Sequence, residues 1–199
     1  MRKPIKAYLI TDPFLYPKSP LDFYEFYQRI LEEHRPQFAA YRDKTMQFEL
    51  KLMKIFLELN AKFNVVSLLN SNAKLALELG FDGVHCNEKQ SNAIQNYKKI
   101  FRYVFYSAHD LKSLENADKI GANGITISPI FKTPNKGIPL GVEFLKQIEP
   151  KNYRAEIFAL GGIITKTELN ALEQTKIHNF ASIRYFLNLD SSPITRVHQ

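Results

Sequence analysis

The chain has 199 residues, 45% of them hydrophobic and 24% charged, with a net charge of +7. That is the usage of a globular chain long enough to bury one full core. It excludes a disulfide-built miniprotein, because Cys86 is the single cysteine, and a membrane-spanning chain, because no apolar run nears the roughly 20 residues a span needs. The lysines are scattered and form no dense basic block, so the positive balance suits an anionic small molecule better than nucleic acid. Met1-Arg2-Lys3-Pro4 leads into a strand and not a secretory leader, which makes a cytoplasmic location the expectation.

In chain order, Ala7 to Asp12 reads as an apolar strand stopped by Thr-Asp-Pro, and Leu21 to His34 has helical apolar spacing. Gln37 to Tyr41 is a second strand, ending in Arg42-Asp43-Lys44, and Met46 to Phe63 an amphipathic helix. Asn64 to Leu69 is a third strand, ending at Asn70-Ser71-Asn72, with Ala73 to Leu79 a short helix. Val84-His85-Cys86 is the fourth, followed by a polar segment, Lys89 to Lys99, expected to be helical. Tyr103 to Tyr106 is the fifth, ending at Ser107-Ala108-His109-Asp110, with a helix from Leu111 to Ile120. Ile125 to Ile127 is the sixth. A loop rich in Pro, Lys and Thr runs from Ser128 to Leu140, and Glu143 to Ile148 is helical. Ile157 to Leu160 is the seventh strand and Lys166 to Gln174 its helix, with Thr165 placed as the cap. Phe180-Ala181-Ser182 is the eighth strand, with a helix from about Arg184. The turns Gly80-Phe81-Asp82-Gly83-Val84 and Gly121-Ala122-Asn123-Gly124-Ile125 look like an internal repeat.

Short apolar strands each followed by a helix imply a parallel sheet buried on both faces. Eight such units in one domain over residues 1–199 predict a closed (β/α)8 barrel, with an open doubly wound sheet as the alternative. In a barrel the polar residues just past the strands share one rim: Asp12, Arg42, Lys44, Asn70, His85, Ser107, His109, Thr133, Lys136, Gly161, Gly162 and Arg184. Gly161-Gly162, after an apolar strand, reads as a phosphate cradle, although adjacent glycines also make ordinary turns. Cys86 reads as a structural core thiol. His85, on a buried strand, reads as a hydrogen-bonded core residue more readily than as an acid or base.

Several of these motifs occur in an informative order. Tyr8-Leu9-Ile10-Thr11-Asp12, Arg42-x-Lys44, Leu69-Asn70, Asp82-Gly83-Val84-His85, Ser107-Ala108-His109, Ser128-Pro129-Ile130-Phe131-x-Thr133-x-x-Lys136 and Gly161-Gly162-Ile163 together resemble the thiamin phosphate synthase and TenI-like thiazole tautomerase family. The resemblance runs from about Tyr8 to Phe186. It implies a barrel enzyme of thiamin biosynthesis that joins a thiazole phosphate to hydroxymethylpyrimidine diphosphate and releases pyrophosphate, with magnesium.

By the resemblance, Arg42 and Lys44 grip the diphosphate, Asn70 orients the pyrimidine and Ser107 binds departing pyrophosphate. Thr133 and Lys136 lie beside the reacting groups, and Gly161-Gly162 holds the thiazole phosphate. A homodimer is the assembly left open. The chain departs from the family at Ala40, where a glutamine is usual, and at Ser71 and Gln90, where the magnesium aspartates stand. A dication there would be held weakly unless Glu88 or substrate phosphates add charge. Arg184 replaces a small serine and would strengthen the phosphate site. Pro129 replaces the histidine of the tautomerase branch, leaving His109, or less readily His85, as its acid–base candidate. The readings carried forward are a synthase, a metal-free tautomerase, and a phosphate-ligand binding protein without turnover.

Overall fold

The structure, a computed structural model, describes residues 5–188. Eight parallel strands close into a barrel in chain order: β1 Ala7–Ile10, β2 Phe38–Tyr41, β3 Val66–Asn70, β4 Gly83–Cys86, β5 Tyr103–Ala108, β6 Gly124–Ile127, β7 Glu156–Leu160 and β8 Phe180–Ser182. Closure is made by β1, whose Tyr8 stands opposite Phe38 on one side and Ala181 on the other. The helices are α1 Pro20–His34, α2 Leu50–Phe63, α3 Ala73–Leu79, α4 Ile94–Tyr97, α5 Leu111–Lys119, α6 Gly141–Lys146 and α7 Lys166–Leu172. Among the described residues no helix is long and apolar enough to cross a membrane.

Successive side chains on a strand point to opposite faces, so each strand divides its residues between two cores. Leu9, Ala39, Leu69, Val84, Cys86, Val104 and Ile125 face outward into the layer beneath the helices. Tyr8, Ile10, Phe38, Ala40, Leu68, Phe105, Phe158 and Ala181 fill the barrel interior. Inside, Tyr8, Phe38, Phe105 and Phe158 meet mostly edge to face, with Tyr8 and Phe105 centroids 5.2 Å apart. The interior is therefore a packed floor and not a pore, and only the strand ends above it can hold ligand. Cys86 belongs to the outer layer, and burial pushes its thiol up to about 12, which leaves it inert.

The two similar turns share one construction. Asp82 accepts hydrogen bonds from the Ser67 N–H and hydroxyl, both at 2.8 Å, and Asn123 accepts from the Val104 N–H at 2.8 Å. Each side chain thus ties its turn to the start of the preceding strand.

Several boundaries differ from the sequence reading. The second helix starts at Leu50 and not at Met46, because Asp43 captures the intervening chain. Its carboxylate accepts from the Thr45 N–H at 2.7 Å, the Thr45 hydroxyl at 2.6 Å and the Phe48 N–H at 3.0 Å, and Met46 and Phe48 take φ of 59° and 46°. The segment expected to be helical over Lys89 to Lys99 is a 3-10 helix, Glu88–Ala93, followed by the single turn of α4. The sixth helix begins at Gly141, two residues early. After β8 the chain makes one 3-10 turn, Tyr185–Leu187, and the remainder of the helix expected there lies outside the described residues.

Candidate functional site

Interior parity decides which polar residues meet. Arg42, Asn70, His85 and Ser107 stand in step with the inward residues Ala40, Leu68, Gly83 and Phe105, so all four rise from the aromatic floor into the mouth. Arg42 is anchored by its own N–H, which donates to Thr11 Oγ1 at 2.9 Å, and its Nη1 lies 3.6 Å from Asp12 Oδ2. That Nη1 is buried and meets no hydrogen-bond acceptor among the described residues. A charged donor in this condition is one that an anion would satisfy.

His85 is 2% exposed. Its Nδ1 lies 2.6 Å from the Tyr8 hydroxyl and its Nε2 2.8 Å from Ser107 Oγ. Burial, and next the charge of Arg42, lower its pKa to about 3, so the imidazole is neutral at any working pH. His85 is thus a hydrogen-bonded core residue that also touches Ser107. His109 is exposed at the end of β5, and its Nδ1 donates to the Ser128 carbonyl at 2.8 Å, which leaves Nε2 without a partner among the described residues.

The double glycine closes β7 with φ of 98° at Gly161 and 72° at Gly162. A Cβ on Gly161 would stand 2.9 Å from Pro129 Cα, and one on Gly162 would stand 2.7 Å from the Lys132 carbonyl oxygen. The strand end is thus pressed against the loop after β6, which runs beside it through hydrogen bonds from Ile130 N–H to Leu160 and from Phe131 N–H to Gly161, each 2.9 Å. Within that loop Thr133 Oγ1 donates to the Phe131 carbonyl at 3.0 Å.

A pocket of about 220 Å³ opens here, lined by Gly161, Gly162 and Ile163 after β7, Ile183 and Arg184 after β8, Thr133, and the cations Lys44 and Lys132. The two amides just before α7 are already spent. The carboxylate of Glu168 takes the N–H groups of Ile164 and Thr165, at 3.2 and 2.7 Å, in a capping box with Thr165. Among the described residues the N–H groups of Gly162, Ile163, Ile183 and Arg184 have no protein acceptor. Unspent backbone donors with three cations around them, against the one carboxylate of Asp12, are the chemistry that an anion calls for.

A second pocket of about 190 Å³, lined by Tyr16, Tyr41, Arg42 and Thr45, adjoins the first at Asp12, which lines both. The larger concavity, about 610 Å³, lies at the opposite end of the barrel between Lys6, Arg154, Lys176 and His178. That end of such a barrel serves stability, and none of the rim residues predicted from the sequence lines it.

The structure therefore gathers Arg42, Asn70, Ser107 and His85 inside the mouth and Lys44, Thr133, Gly161, Gly162 and Arg184 around the pocket. It leaves Lys136 apart. That residue sits in an exposed turn, its N–H bonded to the Thr133 carbonyl at 3.2 Å, and it lines neither pocket. Sequence reasoning missed Lys132, which carries no motif of its own, and the contribution of Tyr8, which only barrel closure brings to His85. The loss of the amides just before α7 was readable in Thr165-x-x-Glu168.

A sequence-family model described as thiamine monophosphate synthase matches residues 7–186. The chain belongs to that family. A relative from Aquifex aeolicus, ascribed the role of a second thiamine-phosphate synthase, is 31% identical over 188 residues, covering 92% of this chain and 97% of its own. The thiamine-phosphate synthase of Lactococcus lactis is 27% identical over 187 residues, covering 87% and 83%. In fold, the thiamine phosphate pyrophosphorylase of Pyrococcus furiosus superposes with a TM-score of 0.73 at 20% identity, over 90% of this chain and 85% of that one.

For a thiamin phosphate synthase, the two positions expected to hold magnesium are made differently here. Ser71 Oγ already accepts from the amides of Asn70 and Asn87, at 2.9 and 3.0 Å. Gln90 donates to the Ser71 carbonyl at 3.1 Å and accepts from the Asn87 N–H at 3.1 Å. Among the described residues no group of three or more His, Cys, Asp or Glu could hold a metal ion. A neutral network in which the Ser71 hydroxyl oxygen and the Gln90 side-chain carbonyl oxygen are already spent does not fit a hard dication, which seeks carboxylates. Replacing both residues, Ser71→Asp with Gln90→Asp, is expected to set two carboxylates against each other. The double variant should melt below the parent and regain stability in millimolar Mg²⁺, a shift the parent does not show. Equal Mg²⁺ response in the two proteins, read by thermal melting, would contradict this account of the network.

Proposed function

We propose that this thiamin phosphate synthase family member couples hydroxymethylpyrimidine diphosphate to a thiazole phosphate and releases pyrophosphate. The observation that carries the reading is the anion pocket: unspent amides at Gly162, Ile163, Ile183 and Arg184, ringed by Lys44, Lys132 and Arg184, beside a mouth that presents Arg42 and Ser107. The pocket takes the thiazole phosphate. Arg42, with its unsatisfied Nη1, and Lys44 take the diphosphate. Asn70 spends its amide N–H on Ser71, so its carbonyl oxygen is kept for a donor such as the exocyclic amine of the pyrimidine.

In this reaction the C–O bond between the pyrimidine methylene and the diphosphate breaks, with its electron pair leaving on pyrophosphate. The thiazole nitrogen then supplies the pair for the new C–N bond. Negative charge concentrates on the leaving group, where fixed cations and donors stabilise it most. Because Ser71 and Gln90 do not suit magnesium, that duty falls on Arg42, Lys44 and Ser107. Coupling of the two precursors, assayed with and without Mg²⁺, tests the reading, and no thiamin phosphate under either condition would reject it.

The free Nε2 of His109 favours a second reading, a metal-free thiazole tautomerase. Conversion of the thiazole carboxylate tautomer, lost in His109→Ala, would support it over coupling. For the cradle, Arg184→Ala should weaken thiazole phosphate binding by about three- to tenfold, the scale of one exposed charged contact. Unchanged affinity by calorimetry would remove Arg184 from the site. The phosphorylated ligands and a homodimeric assembly are both part of this proposal.

A further inference from the structure

Tyr8, His85 and Ser107 come from β1, β4 and β5 and meet as one line from the barrel floor to the mouth. Tyr8 is fully buried, with the rings of Phe38, Phe105 and Phe158 around it. The neutral imidazole of His85 has one N–H and one lone pair, so the line of hydrogen bonds can run in only two directions.

In the first, the Tyr8 hydroxyl donates to Nδ1, Nε2–H donates to Ser107 Oγ, and the Ser107 proton is free at the mouth. In the second, Ser107 donates to Nε2 and Nδ1–H donates to Tyr8. The phenol proton then has no acceptor, because Tyr8 has no other hydrogen-bond partner among the described residues and its surroundings are aromatic. Burial also keeps that proton on the oxygen, since it raises the phenol's pKa well above its ordinary value. Stranding a buried donor costs at least about a fivefold factor in population, whereas Ser107, half-buried at the strand end, can always reach solvent or ligand. The first direction wins.

We propose that Tyr8 and His85 are positioning residues that fix the Ser107 hydroxyl as a donor toward the mouth, so that Ser107 binds an oxygen of the departing diphosphate and not the amino group of the pyrimidine. Only the identity of that oxygen rests on the coupling reaction proposed above; the direction of the relay does not.

The test has two arms. The first is ¹⁵N NMR of the ligand-free protein with labelled histidine, the His85 signals assigned by their loss in His85→Gln. The expected result is the Nε2–H tautomer, with Nδ1 shifted as a hydrogen-bonded lone pair. In Tyr8→Phe, which keeps the ring and removes the donor, the tautomers should mix. An Nδ1–H tautomer in the unmodified protein overturns the relay. The second arm is calorimetry with inorganic pyrophosphate. Ser107→Ala should weaken binding by about tenfold or more, the value of a hydrogen bond to a charged group, Tyr8→Phe by only about twofold, since mixed tautomers leave about half the molecules with the Ser107 proton free, and the double variant no more than Ser107→Ala. Full affinity in Tyr8→Phe beside a loss in Ser107→Ala also overturns it. Failure of the unmodified protein to bind pyrophosphate would sink the ligand assignment and the coupling reading together, while the tautomer still decides the relay.

Discussion

In Gly162→Ala the free energy of unfolding is expected to fall by about 2–4 kcal/mol, and the thermal shift given by thiazole phosphate to vanish. Two separate costs combine at this residue. Its φ of 72° is a conformation that an L-residue adopts only with strain, and the added methyl would stand 2.7 Å from the Phe131 carbonyl carbon, from Phe131 Cβ and from the Lys132 oxygen. The backbone of the loop after β6 must then retreat, taking Lys132 and Thr133 away from the pocket they line.

The costs can be separated with two other glycines. Gly80 has φ of 79° with nothing within 4 Å of the methyl an alanine would add, so Gly80→Ala should cost only the strain, about 1 kcal/mol. Gly137 has neither a positive φ nor a near neighbour, and Gly137→Ala should be silent to within about 0.5 kcal/mol. Urea unfolding of the three variants would show a graded series. Equal, small effects at Gly80 and Gly162 would mean that the strand end and the loop are not pressed together.

How much of this was legible in the sequence follows from what each feature depends on. The eight strands were legible because each is a short apolar run with turn residues on both sides. The inward set of Arg42, Asn70, His85 and Ser107 follows from alternation, once each strand's buried neighbours are known. The start of α2 was misread because Met46 and Phe48 continue the apolar spacing of the helix behind them. The local competitor, Asp43, binds two backbone N–H groups that a helix would need to use otherwise. The stretch after β4 was misread for a related reason: Asn87 and Gln90 cap each other and tether the chain to Ser71, so a 3-10 turn forms where a longer helix was expected.

The contents of the pocket were half visible. The glycines and Arg184 announce themselves by type. Lys132 and the spare amide of Ile183 do so only when β7 and β8 lie side by side. Tyr8 reads in sequence as one more aromatic on an apolar strand. Its hydroxyl acquires a role only because barrel closure sets it against a histidine 77 residues away.

Lowering the pH should unfold this protein from an unusually high starting point. A histidine whose pKa falls from about 6.5 in the unfolded chain to about 3 when folded is unprotonated in the native state and protonated in the unfolded state throughout that interval. The unfolded state therefore binds the extra proton. The stability that His85 contributes is complete above pH 6.5 and is lost by about 1.4 kcal/mol per unit as pH falls toward 3. By pH 4.5 the loss is roughly 2.5–3 kcal/mol, a large share of the stability of an ordinary domain.

Carboxylates add to acid lability only lower down. The hydrogen bonds that Thr45 and Phe48 make to Asp43 outweigh its burial, and those of Ser113 to Asp110 act alike, so both pKa values are lowered and their contributions are lost below about pH 4. The window from pH 6.5 to 4.5 lies above these carboxylates, and His85→Gln separates this imidazole from the other four histidines. Urea unfolding at steps across it should show the decline in the unmodified protein and a slope smaller by about 1.4 kcal/mol per pH unit in His85→Gln, which keeps a donor and an acceptor but cannot titrate. Should Gln at this position fail to fold, the ¹³C shift of the His85 ring in the native protein gives the same information, since it should not move above pH 4.5. A His85 ring that titrates near 6.5 in the native state would mean that water reaches it, and that neither the burial of the imidazole nor its fixed contact with Ser107 is as described.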